Sequence, residues 1–273
     1  MKKLLKVKLT NLLKGSIVFS VLLGCSIRSE NYELEKAQKA FEKSDYSEAR
    51  DYFYKFLKRN EENQSSVQAA KQLFQISSIH LPDKTLMENS LKHIILRSLD
   101  KDERMDAQFK LGKFYYEQAT DYDRAINHFS KFALLSKNEV KNIEAKLFVA
   151  RSYFYKNNFY QAEVELQDIV KEENPYIFEA KLLQSNIFQN QKRYKEAVES
   201  YRYLLQYYPE RSNEEQLYLG LSLSLEENKD YKGAYELLNS LPEKEKESPF
   251  IMEKLARIRY LIKQQPGARG KMK

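Results

Sequence analysis

Residues 149–166 read Val149-Ala150-Arg151-Ser152-Tyr153-Phe154-Tyr155-Lys156-Asn157-Asn158-Phe159-Tyr160-Gln161-Ala162-Glu163-Val164-Glu165-Leu166. Val149, Ala150 and Tyr153 fall on one helical stripe, and Phe159, Ala162 and Leu166 on another. Asn158 stands between them and can accept from free N–H groups at the start of a second helix. The stretch therefore predicts two helices joined by a short turn. The small residues at 150 and 162 are close-approach positions, where a larger side chain would push the pair apart.

The pattern recurs. A small residue three after an aromatic appears at Tyr46…Ala49, Tyr122…Ala125, Phe159…Ala162, Tyr194…Ala197 and Tyr231…Ala234. The alanines are 76, 37, 35 and 37 residues apart, and 76 is two steps of 38. A large apolar group follows each alanine by four: Phe53, Phe129, Leu166, Tyr201 and Leu238. Leu111-Gly112-x-x-Tyr115 and Leu219-Gly220-x-x-Leu223 share the spacing of Val149-Ala150-x-x-Tyr153. Asp45, Asp121 and Asp230 precede Tyr46, Tyr122 and Tyr231 as Asn158 precedes Phe159. Pro175 and Pro209 close two of the units. In residues 67–100 the apolar rhythm survives but the alanine signature is lost. Gly112 to Ala125 spans 13 residues and Gly220 to Ala234 spans 14, against 12 from Ala150 to Ala162, so the third and sixth units carry extra residues. Unit five has Ser185 in place of the glycine.

These residues resemble the tetratricopeptide repeat, a helix-turn-helix unit of about 34 residues. The resemblance implies an all-α fold, a right-handed α-solenoid of about six stacked hairpins over residues 32–242. Beyond it, Ser248-Pro249 reads as an N-cap and first-turn proline. The helix to about Lys263 would cap the last exposed apolar face. Residues 243–247 read as a solvated linker, and 264–273 as a disordered basic tail.

Cys25 is the only cysteine and ends Leu22-Leu23-Gly24-Cys25. Ahead of it lie five lysines and the apolar stretch Ile17 to Leu23, broken by Ser20. A positive start, a short apolar run and a small residue before the cut predict a cleaved leader over 1–24, too short to span a bilayer. The four residues resemble the lipobox of bacterial lipoproteins, in which the cysteine becomes the first residue and carries acyl chains. Residues 25–31 would then be a lipidated linker. Ser26, by the enteric-type sorting scheme, implies the outer membrane, facing the periplasm, rather than the inner membrane.

The chain carries 46 Lys and Arg against 39 Asp and Glu, but without residues 1–24 the balance falls from +7 to +2. The basic charge thus belongs largely to the leader, and nucleic acid is not an expected partner. His80, His93 and His128 lack ligand-spaced partners, so no metal is expected. No nucleophile elbow, phosphate loop or metalloprotease motif is present. The acidic pairs Glu61-Glu62 and Glu226-Glu227 fall in expected turns, without the burial acid–base work needs. The sequence predicts neither an enzyme nor a cofactor.

What remains is binding. In proteins of the resembled family the first helix of each unit lines a groove. Carried over, that implies Phe41 with Leu34 and Gln38, then Phe109, Lys113 and Tyr116, then Leu147, Arg151 and Phe154, then Leu182, Asn186 and Gln189. Lys113, Arg151 and Asn186 would be donors for an acidic or carboxylate-bearing peptide. Equally, the aromatics are shared core and the bases ordinary solvated groups. In length, linker and repeats the chain is similar to the tetratricopeptide lipoprotein of the outer-membrane β-barrel assembly machinery. Pilot lipoproteins of pili and secretins are the second family of this shape, and an accessory to a peptidoglycan-active enzyme a remote third. The expected partners are envelope proteins or peptides, and the membrane through Cys25.

Overall fold

The computed structural model describes residues 32–211 and 216–265. Residues 1–31, with the expected leader, Cys25 and linker, lie outside them, as do tail residues 266–273. The described residues form helices and connecting turns, with no strand among them. They divide into two compact units, the first ending at Asp121 and the second beginning at Tyr122.

The first unit holds α1 (residues 32–42), α2 (Tyr46–Arg59), α3 (Gln64–Gln75), α4 (Lys84–Arg97) and α5 (Lys101–Lys113). Each of α2 to α4 packs on the next. Ala37, Ala49 and Phe53 share a core with Phe56, Leu73 and Ile76. Ala49 and Phe53 are fully buried, as the stripe predicts.

The second unit holds α6 (Tyr122–Leu135), α7 (Glu139–Tyr155), α8 (Phe159–Ile169), α9 (Ile177–Asn190) and α10 (Tyr194–Tyr207). It continues with α11 (Leu217–Glu227), α12 (Tyr231–Asn239), the single turn α13 (Glu243–Lys246) and α14 (Pro249–Gln264). Consecutive helices pack from α6 to α12, and α14 covers α12. Phe129 and Phe148 stack with centroids 4.7 Å apart. One core gathers Ala150, Ala162, Leu166 and Ile187. The other runs from Ala197, Tyr201 and Leu217 through Ala234 and Leu238 to Ile251 and Ile258 of α14. Residues 243–247, expected as a linker, instead form α13, where Lys246 meets Glu243 at 2.7 Å. Pro249 opens α14 as expected, although the Ser248 side chain makes no capping bond.

Four hairpin turns are built alike. Ser44, Asn157, Lys192 and Lys229 adopt left-handed φ of 61°, 57°, 61° and 64°. The next N–H reaches back five residues, from Asp45 to Ala40, Asn158 to Tyr153, Arg193 to Phe188 and Asp230 to Leu225, at 2.8–2.9 Å. This is the Schellman closure, which satisfies orphan carbonyls at a helix end. Asp45, Asn158 and Asp230 then cap the next helix, accepting from the N–H of Glu48, Gln161 and Gly233. Arg193 replaces that cap. Its guanidinium joins Glu196 at 2.5 Å and Glu163 of α8 at 2.6 Å.

Two first-unit turns differ. α3 and α5 each end in one turn of π-helix, Ile76–His80 and Phe114–Gln118. The latter takes up the extra residue between Gly112 and Ala125. The sixth repeat needs a correction of register. Its small buried residue is Ser222, 12 before Ala234, matching Ala37 to Ala49 and Ala150 to Ala162. Gly220 serves another contact, because a Cβ there would stand 2.5 Å from Cζ of Tyr201.

Candidate functional site

The expected groove residues divide by what they touch. Phe109 and Leu147 are 7% and 2% exposed, so both are core rather than surface. Phe41, Phe154 and Leu182 are half-buried against the cores. Phe41 meets Tyr46 edge-on, and His80 stacks on that tyrosine at 3.6 Å. Leu34 packs on the same core, and Gln38 donates to Glu42 at 3.3 Å.

The polar positions are engaged within the fold. Tyr201 donates to Asn186 Oδ1 at 2.7 Å, and its hydroxyl oxygen lies 3.2 Å from Gln189 Oε1. Gln189 Nε2 crosses to α11, donating to the Gly220 carbonyl at 2.8 Å and to Ser224 at 2.7 Å. Burial pushes the Tyr201 hydroxyl up to about 12. Arg151 lies 5.8 Å over the Phe148 ring. Lys113 pairs with Glu117 at 3.5 Å, beside half-buried Tyr116. Lys113 belongs to the first unit, and Arg151 and Asn186 to the second. Gln189 spends its amide donors inside the fold, and Asn186 holds Tyr201 through Oδ1.

A cleft of about 300 Å³ opens elsewhere on the same class of helix, between α3 and α5 over a floor of α4. Leu91 and Ile94 form the floor, Phe74 and Ala107 the walls, and Ile79 of the π-turn an outer lip that is 67% exposed. Lys71 of α3 reaches Glu103 of α5 at 2.5 Å across the rim. Lys71, then Ser98, holds the Glu103 carboxyl below its usual range. On the other rim Lys110 pairs with Asp106 at 2.7 Å and lies 5.6 Å over the Phe74 ring. An apolar floor with a polar rim is the chemistry of a site for an apolar side chain carried on a peptide.

The cleft and the implied groove use different stripes of α5. Residues 103, 106, 107 and 110 line the cleft, whereas 109, 113 and 116 point to another stripe. A signal did exist. Counting from Asp83, which caps α4, places Phe74 and Met87 where Gly112 and Ala125 stand relative to Asp121. The unit that loses its small residues is the unit that carries the cleft.

Ser66 Oγ lies 2.7 Å from His93 Nε2, but Ser66 is fully buried and no substrate could reach it. Desolvation, then Arg97, holds the His93 ring below its ordinary pKa. Among the described residues no three His, Cys, Asp or Glu side chains converge as a metal site. Glu226, expected in an unburied turn, lies in the last turn of α11 and is 6% exposed, held by Lys254 and Arg257 of α14. It is a structural ion cluster.

Residues 106–135 and 179–211 match the family model of the tetratricopeptide repeat. The chain carries tetratricopeptide repeats. Solved structures of similar fold include a tetratricopeptide repeat protein from Parabacteroides merdae ATCC 43184. It is 15% identical, with 89% of this chain and 96% of that one covered and a TM-score of 0.52. PilW, described as a widely conserved type IV pilus biogenesis factor, is 15% identical over 83% of this chain and 98% of its own, TM-score 0.52. BtubC of P. vanneervenii is 12% identical over 86% and 93%, TM-score 0.50. At such identities the likeness is one of fold. No curated protein sequence matches the chain. Tetratricopeptide chains hold other proteins or peptides, and a scaffold for protein–protein interaction is the function this repeat fold supports.

Proposed function

We propose that this tetratricopeptide chain is a lipid-anchored scaffold of the bacterial cell envelope, acylated at Cys25 and facing the periplasm from the outer membrane. The observation that carries the reading is the single cysteine, placed directly after a lysine-led apolar stretch and seven residues before the helix at 32. Two or more acyl chains hold a protein stably at a membrane, leaving the repeats free for partners. Among the described residues no helix is long and apolar enough to span a bilayer. The docking surface in this reading is the α3–α5 cleft, which takes an apolar side chain from an envelope protein engaged in outer-membrane assembly.

Two measurements test it. Labelled palmitate should enter the wild-type chain and pellet with membranes, and Cys25→Ala should abolish both; label retained by that variant would end the lipoprotein reading. A photo-crosslinker at Ile79 in growing cells should capture an envelope protein that one at Tyr54 does not. A β-barrel assembly component there would support the first family. A secretin or pilus component would move the chain to the pilot class.

A further inference from the structure

Charge along the chain is segregated. Residues 249–273 contain seven Lys or Arg and one Asp or Glu, a net of +6. Residues 25–248 contain 34 against 38, a net of −4. The near-neutral balance thus conceals an acidic stretch of sequence followed by a basic one. α14 carries the first part of that basic stretch and has two faces. Ile251 and Ile258 are buried in the core with Leu255 and Ile262 against it, and Lys254 and Arg257 hold Glu226. The opposite face presents Met252 and Tyr260, 58% and 62% exposed, with Ala256 between them at helical spacing. Exposed Arg259 and Lys263 flank this row, and Phe250, also exposed, stands at its N-terminal edge. Arg259 stays near the surface by donating to Tyr235 Oη at 2.8 Å. Glu253 is the one acid of this outer face.

A capping helix has no packing reason to expose Met, Tyr and Phe among cations, since its outer face needs only to be polar. Apolar and aromatic groups between Lys and Arg, on one convex helix, suit the headgroup boundary of an anionic bilayer. We propose that the outward face of α14 makes a peripheral contact with an anionic phospholipid surface. This contact is independent of acylation.

The test uses residues 25–273 with Cys25→Ser, which keep every described helix and remove the leader and the lipid. Phosphatidylcholine vesicles with and without phosphatidylglycerol are pelleted at low and high salt. The chain should pellet only with the phosphatidylglycerol vesicles, and less at high salt. Met252→Ser with Tyr260→Ser, and separately Arg259→Gln with Lys263→Gln, should each weaken binding about tenfold. Glu253→Gln should strengthen it. Circular dichroism verifies that each variant keeps the parent's helix content. Binding to neither vesicle, equal binding to both, or folded variants that bind like the parent would each overturn the proposal. The first result would also leave this face for a protein partner.

Discussion

Glu226 at the end of α11 and Lys254 on α14 form an ion pair that lies inside the protein, their side chains 4% and 11% exposed. Arg257 joins from the solvent side. The pair fastens the terminal helix to the last hairpin. Removing one partner leaves the other charge buried without compensation, which typically costs about 3–5 kcal/mol. Glu226→Ala should therefore lower the melting temperature sharply. Combining Glu226→Met with Lys254→Met should recover much of that loss. A single variant melting within a degree or two of wild type would refute the bracing role.

Tyr201 sets an alkaline limit on the second unit. Its hydroxyl is neutral when bonded to Asn186, and burial raises its pKa from 10.0 to about 12. A raised folded-state value means its stabilisation is complete below pH 10 and is lost as pH climbs through 12. Two units correspond to roughly 2–3 kcal/mol. Tyr201→Phe should cost about 1 kcal/mol at neutral pH and flatten the stability curve over that alkaline window. An identical alkaline transition in the variant would exclude Tyr201 as its source.

Lys192 and Lys229 sit in left-handed turns that glycine adopts without a Cβ penalty. Lys192→Gly and Lys229→Gly should each stabilise by about 0.5–1 kcal/mol, read as a higher denaturant midpoint with unchanged slope. Asn157→Gly should gain less, because asparagine tolerates that conformation. A lowered midpoint for both lysine variants would mean their side chains contribute more than the turn costs.

The α3–α5 cleft can be separated from the groove the sequence implied. Ile79→Asp changes an exposed lip and should leave the melt unaltered while weakening the crosslinked partner at least about tenfold. Arg151→Glu, on α7, should have little effect on the same partner. The reverse outcome would return binding to the second unit's helices.

Much of this was legible. The aromatic–alanine spacing located Ala49, Ala162, Ala197 and Ala234, all fully buried, and the Asp or Asn before three of the aromatics found the caps at Asp45, Asn158 and Asp230. Periodicity reports which stripe of a helix is apolar, so it finds core reliably. It cannot report which neighbour a half-polar stripe meets. For that reason Gln189 read as a groove donor although it bonds to α11, and Glu226 read as solvated although α14 folds over it. The cleft escaped because it lies where the repeat signature fails, and a missing alanine looks like decay until Phe74 is seen lining a cavity.

The π-turns at Ile76–His80 and Phe114–Gln118 carry a genetic consequence. A codon inserted near the end of a first helix would normally rotate everything downstream by about 100°. Here the surplus is swallowed within one widened turn before Asp83 and Asp121, so later residues keep their facing. Single-codon insertions at these helix ends should therefore leave the melting temperature nearly unchanged. A lineage can accumulate them, and its repeats will drift out of recognisable spacing while the hairpins persist.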